Sequence, residues 1–420
     1  MSLKVVSGLM LTLLLVSILF VVFDMPVVVA SGTIYIRADG SIDPPTAPIQ
    51  RNGDIYTLTS NITSDADGII VERDNIVLDG AEYTLQGTGV YESKGIYLYR
   101  RNNVTIKNMT IRAFYSGIRL DSSSSNIISE NNVTSNNYHG IFFYPYSDNN
   151  FVFGNTIANN SAYGFCLQDS DNNTISGNTV DNSTYGIALV SSELTRSNNI
   201  ASGNVVDDNF YGITLYAYSG ITVDGNNIKN NYAGIRTYVA PSNFFTNNNV
   251  TYNIQGITLD SSWNITLFGN TVANNNVGLY LRAASGNTFY NNNFIGNSVQ
   301  VSPWNDGYES TCLWDNGYPS GGNYWSDYVG NDTYSGPYQN ETGSDGIGDT
   351  PYVINAGNVD HYPLMNPWIP YKPAPVGGVY VPANKLELLA PYVGSTILLA
   401  VAVITVAYVK KRKKHTKVIS

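Results

Sequence analysis

One tetrapeptide constrains this chain more than anything else in it. Gly-Ile-x-Leu, or a close variant, begins at Gly95, Gly117, Gly140, Gly164, Gly186, Gly212, Gly234, Gly256 and Gly278, in steps of 22, 23, 24, 22, 26, 22, 22 and 22. Nine copies at this regularity specify a solenoid, in which each unit buries its apolar face only against its neighbours. Within each unit the apolar residues fall two apart, which is the period of a strand. About 22 residues are too few for a helix with its partner strand and turns, but enough for three short strands and three corners. Stacked at ~4.8 Å, such coils form parallel sheets, and chain chirality favours a right-handed path. The expected fold class is all-β, a right-handed parallel β-helix of about ten coils and ~50 Å.

A second marker runs with the first. Asn recurs at 108, 131, 155, 178, 204, 226, 248, 270 and 292, and Gly precedes it at 154, 177, 203, 225 and 269. Gly and Asn tolerate the left-handed backbone that a sharp corner needs. Stacked amides can then hydrogen-bond along the axis as a polar ladder.

Charge speaks to partners. Charged residues make up 13% of the chain, while Tyr alone numbers 32. Between residues 31 and 385 there are 15 basic against 30 acidic residues. Nucleic acid is excluded as a partner, because phosphate binding needs clustered Lys or Arg. The basic residues cluster instead at Lys410–Lys414 and Lys417.

The two ends suggest an address. Residues 1–30 have a basic start at Lys4, an apolar run from Leu9 to Phe23 and a small-residue cleavage site at Ala30. That pattern is expected of a signal peptide. Tyr392 to Val409 is apolar and uncharged, and the basic cluster follows at once, so a transmembrane helix over 386–409 with a cytoplasmic tail over 410–420 is expected. The β-helix should occupy 31–300, its C-terminal cap 301–366 and a Pro-rich stalk 367–385. The expected location is the cell membrane, crossed once, with the body outside. Eleven Asn-x-Ser/Thr sequons fit an outside surface.

The coil Asn172-Asn173-Thr174-Ile175-Ser176-Gly177-Asn178 resembles the NosD-type β-helix, of the carbohydrate-binding and sugar-hydrolase-like superfamily. Gly68 to Gly80 looks like that family's first coils. Gly322-Asn323-Tyr324-Trp325-Ser326-Asp327-Tyr328, Asp345 to Tyr352 and Asp360 to Leu364 look like its terminal cap. The resemblance spans residues 33–366. It implies a periplasmic, copper-binding accessory role in nitrous-oxide reductase maturation. Copper prefers clustered His, Met or Cys. The chain has only His139, His361 and His415, with five scattered Met and the distant Cys166 and Cys312. Copper is therefore not expected, and His139, just before Gly140, reads as a turn or surface residue.

The alternation in Gly-Ile-x-Leu-x sends Ile and Leu inward and both x positions to solvent. Two patches stand out among the x residues. One is Tyr97, Tyr99, Arg119, Asp121, Phe142 and Tyr144; the other is Arg236, Tyr238, Thr258, Asp260, Tyr280 and Arg282. Rigid aromatics beside fixed polar groups suit sugars, which have apolar faces and hydroxyl edges. The plainer reading is that Tyr is a good strand former and that Asp260 and Arg282 make a surface ion pair.

Hydrolysis or lyase chemistry needs paired carboxylates or a metal with a base. Asp148, Asp169 and Asp171 are the candidates; Asp148 and Asp171 fall in equivalent Ser-Asp-Asn-Asn turns. Asp345 and Asp349, in Asp345-Gly346-Ile347-Gly348-Asp349, resemble part of a calcium loop. No other cofactor is expected. The favoured function is non-catalytic binding of a polysaccharide or cell-envelope glycan. The alternatives are a polysaccharide lyase or glycoside hydrolase, and a copper accessory protein.

Overall fold

The computed structural model describes residues 32–303 and 310–369. These form a right-handed parallel β-helix of about eleven turns. Three long sheets run its length, of 13, 12 and 12 strands. Neighbouring strands from one coil to the next are parallel and, outside one bulge, in register, so Ile118 sits on Ile96 and under Ile141. Twelve strands at ~4.8 Å make a rod of ~50 Å.

The first sheet carries the Gly-Ile-x-Leu strands, such as Tyr163–Gln168, Ala233–Tyr238 and Gln255–Asp260. After a corner, short strands such as Phe151–Phe153 form the second sheet, and strands such as Thr156–Ala158 the third. Inward side chains from all three meet on the axis: Ile118, Leu120, Ile128 and Val133 are fully buried. Each such side chain contributes about 1.5–3 kcal/mol by leaving water. The repeat's Gly has its own reason. A Cβ on Gly212 would lie 2.5 Å from the Gly234 carbonyl oxygen of the next coil, so any side chain there forces two coils apart.

The unequal steps in the repeat are insertions at the corners. The step of 26 from Gly186 to Gly212 is one long strand, Tyr185–Arg196, whose register slips between Val190 and Thr195. The extra residues bulge outward, leaving Leu194 exposed, and the stack continues undisturbed.

The Asn ladder is present from Asn131 to Asn292 and ends on Asn323 in the cap. At each rung the amide NH₂ donates to the next rung's Oδ1, as Asn226 does to Asn248 at 2.9 Å. It also donates to a carbonyl of the coil behind, here Ala201 at 2.9 Å. Asn108 is not a rung. Met109 holds that place, its N–H donating to Asn131 Oδ1, while Asn108 takes the left-handed corner position with φ 54°. The other two corners carry Asn ladders too. Asn126, Asn150, Asn173 and Asn199 line one, and Asn209, Asn231, Asn253, Asn275 and Asn297 the other. Gly154, Gly177, Gly203, Gly225 and Gly269 all have positive φ, between 61° and 69°.

Residues 310–369 close the far end. Trp314 and Trp325 lie over Phe289 and Phe294 of the last coil, with ring centroids 4.8 and 4.5 Å apart. Asp360, fully buried, ties the cap together. It accepts from Asn323 N at 2.7 Å, Trp325 Nε1 at 2.8 Å and Tyr362 N at 3.1 Å. Burial pushes its carboxyl up to about 7 against these donors. No helix among the described residues is long and apolar enough to cross a membrane. The expected signal peptide, most of the stalk, the transmembrane helix and the basic tail lie outside the described residues.

Candidate functional site

The outer face of the first sheet holds three rows of outward residues. One row precedes the repeat Gly and includes Tyr163, Tyr185 and Tyr211; the two x positions supply the others. The x positions are not uniformly solvent-facing. Phe142, Cys166, Ala188, Thr214 and Thr258 of the middle row are buried beneath the flanking rows, and Asp121 and Asp260 of an outer row are buried beneath the side chains that pair with them.

This changes the reading of the first patch. Arg119 pairs in fork geometry with Asp121, at 2.8 and 3.0 Å. Tyr97 Oη donates to the same carboxylate at 3.0 Å. The guanidinium lies 5.5 Å from the Phe142 ring centroid and 5.1 Å from that of Tyr144. Burial, then the Asp121 charge, raises the pKa of Tyr97. Tyr99 and Tyr144 stay exposed at the edge, but the polar groups between them are spent on one another. His139, expected at a surface turn, is buried in a strand. Its ring stacks 4.2 Å from Phe142 and its Nδ1 lies 3.1 Å from Ser116 Oγ. Burial, with Arg119 nearby, drops its pKa to about 3.

Further along the same face a cleft of about 450 Å³ opens. Its floor is small, Ala188 and Thr214. Tyr163 and Tyr185 form one wall, stacked at 4.9 Å. Val190, Tyr216 and Tyr238 form the other, with the two Tyr rings stacked at 5.2 Å. Arg236 stands at one end, its guanidinium 4.7 Å from the Tyr211 ring centroid. It also lines a second hollow of about 290 Å³ with Thr258, Asp260, Tyr280 and Arg282. There Asp260 is tied to Arg282 at 3.2 Å.

The second predicted patch is thus brought together, and it continues into a cleft that was not foreseen. Tyr163 and Tyr185 escaped notice because they precede the repeat Gly, outside the x positions. The run of Tyr at that position in three successive repeats was the available signal.

Of the acidic candidates, Asp148 and Asp169 serve as hydrogen-bond acceptors between coils. Asp148 Oδ1 accepts from Asp171 N at 2.7 Å. Asp169 Oδ1 accepts from Ser192 N at 2.7 Å and from the hydroxyls of Ser191 and Ser192. Burial, and then the neighbouring Asp148 and Asp169, raises the pKa of Asp171. In the cap loop, Asp349 accepts from the backbone of Thr333 and Tyr334. Asp345 accepts from Gly336 N and Ile347 N.

Residues 49–200 and 194–330 match the model of a family described as periplasmic copper-binding protein (NosD). The chain belongs to the NosD family. Among the described residues of this NosD-family chain, no three His, Cys, Asp or Glu side chains gather into a group that could hold a metal ion. Cys166 and Cys312 are both buried and unpaired with each other, and burial holds their thiols up at about 12 and 11. No curated protein matches the chain. Among solved structures it is similar to the A-module of the Azotobacter vinelandii mannuronan C-5 epimerase AlgE4, at 17% identity and a TM-score of 0.46. That match covers 67% of this chain and 89% of the other. It is also similar to a double mutant of the periplasmic alginate epimerase AlgG, at 16% identity and a TM-score of 0.44, covering 66% and 84%.

Proposed function

We propose that this chain is a glycan-binding rod held outside the cell, and that the ligand lies along the first sheet in the tyrosine-walled cleft. The observation that carries this is the cleft itself: two facing walls of stacked Tyr above a floor of small side chains. Tyr rings offer apolar faces to sugar C–H groups and hydroxyls to sugar oxygens, and pairs already stacked are rigid before the ligand arrives. The spacing fits as well. Neighbouring coils are ~4.8 Å apart, roughly one pyranose unit of an extended chain, so each coil can meet one sugar. Asp148 and Asp169 are engaged by backbone N–H groups, and binding without cleavage is the favoured activity. In the same reading residues 1–30 direct secretion, 386–409 anchor the body in the membrane, and 410–420 remain in the cytoplasm.

A glycan array probed with the detergent-solubilised full chain tests this. Binding to one class of polysaccharide is expected, weakened about tenfold by Tyr185→Ala or Tyr216→Ala, since each removes a stacking surface of about 1–1.5 kcal/mol. Tyr146→Ala, at an exposed corner away from the cleft, should change nothing. Binding that is indifferent to all three substitutions would place the ligand elsewhere. Shortening of a bound polysaccharide would instead make the chain an enzyme.

A further inference from the structure

The cleft contains two groups that an empty surface does not explain. Thr214 is 6% exposed, on the floor, and its Oγ1 has no hydrogen-bond partner. Leaving a buried hydroxyl unsatisfied costs about 1–3 kcal/mol, and nearly every other buried polar side chain among the described residues is satisfied. Arg236 is the second. Among the described residues most other guanidinium and ammonium groups on the long sheets make an ion pair, Arg51 and Arg112 being exceptions on the other two sheets. Lys229 pairs with Asp207 and Arg282 with Asp260, while Arg236 has only the face of Tyr211 beneath it. In a body where acidic residues outnumber basic ones two to one, a cation held without a carboxylate on an aromatic ring, at the junction of two hollows, is a site awaiting an anion.

From these two groups we infer that the ligand is an acidic polysaccharide, one whose sugar units carry carboxylates. This rests on the glycan-binding reading above and specifies its ligand. The Arg236 guanidinium supplies a planar, two-pronged donor matched to a carboxylate. Thr214, on the neighbouring coil in direct register with Arg236, holds its hydroxyl just beneath the floor, where a χ1 rotation turns it towards the adjoining stretch of the sugar chain. Asp260 is neutralised by Arg282 and so does not repel the ligand's charge at the second hollow.

The test is equilibrium binding of the full chain to polygalacturonate, polyglucuronate and hyaluronan, each beside its carboxyl-reduced counterpart. At least one acidic polymer should bind about ten- to a hundredfold more tightly than its reduced form, as a charge-assisted pair requires. Arg236→Gln should erase that difference and leave the reduced polymer's affinity within about twofold; Arg236→Lys should keep part of it. The preference should also weaken with added salt. Thr214→Val carries a separate signature. It should weaken binding of acidic and reduced polymers alike by about fivefold while leaving the thermal midpoint of the free protein unchanged or raised, because the unsatisfied hydroxyl is gone. Far-UV circular dichroism checks that each variant is folded. Equal binding of acidic and reduced polymers, unaffected by Arg236→Gln, would overturn the acidic ligand and leave the glycan reading standing. Binding of neutral array glycans with none of the acidic polymers would do the same. Failure to bind any glycan would overturn both.

Discussion

Single residues here work chiefly by satisfying buried polarity, and two of them make stability depend on pH in opposite senses. His139 has a folded pKa near 3, below its unfolded value of about 6.5. Between these limits the unfolded chain binds the extra proton, so His139 favours folding above pH ~6.5, and that contribution is lost as pH falls towards 3. Asp360 has a folded pKa near 7, above its unfolded value of about 4. Here the native state holds the extra proton, so stability is highest below pH ~4 and declines as pH rises to about 7. The two slopes offset each other in the parent protein. Denaturant titrations from pH 4 to 7 should therefore show stability falling more steeply in His139→Phe than in the parent, where the Asp360 slope is no longer offset, and rising relative to the parent in Asp360→Asn. Parallel curves in parent and variants would mean that neither group shifts as burial implies.

At the scale of an element, the unit is a rung shared between coils. Asn226 gives its amide to Ala201 O and Asn248 Oδ1 and receives Asn204 N and Nδ2 on its own Oδ1, the last two at 2.9 and 3.0 Å. Asn226→Ala strands several of these partners in the interior and should cost about 3 kcal/mol or more. Asn230→Ala, one corner further along, removes an exposed bond to Asp207 and should cost less than about 1 kcal/mol. Gly212→Ala tests the other constraint on coil spacing. Because the obstacle is a backbone carbonyl, which cannot turn aside as a side chain can, the loss should exceed the ~1 kcal/mol that relieving Gly of its backbone freedom would return. Chemical denaturation of the three variants ranks them directly.

Across the whole molecule, a solenoid has open ends, and an uncovered end is a row of unpaired strand groups with apolar side chains behind it. Trp314, Trp325 and the buried Asp360 close the end that Phe289 and Phe294 would otherwise expose. A chain ending at residue 303 should therefore aggregate, seen as a shift to the void volume in size-exclusion chromatography, while the full chain stays dispersed. The same one-dimensional build explains how the insertion at Val190–Thr195 is tolerated: it alters one corner and leaves the coils on either side in register. It also places a binding face wherever successive coils present compatible residues, with no tertiary folding-back required.

The sequence alone determined the architecture, because a repeat of about 22 residues with apolar residues two apart has few other ways to bury them. It also marked one Asn ladder, the Gly corners and the sheet that carries the cleft. Three errors have a common physical source. Asn108 fell one residue short of its rung because two adjacent corner positions accept the same residue type, one for its amide and one for its backbone. His139 was assigned to a turn, and the x positions to solvent, because alternation states which way a side chain points and is silent on what its neighbours cover. Arg119 meets Asp121 within one strand, but that Tyr97 closes on the same carboxylate, that Arg236 rests on Tyr211 and that Thr214 lacks a partner depend on residues 22 or more apart in the chain. Those contacts exist only once the coils are stacked, which is why the fold could be read from the repeat and the cleft could be read only from the structure.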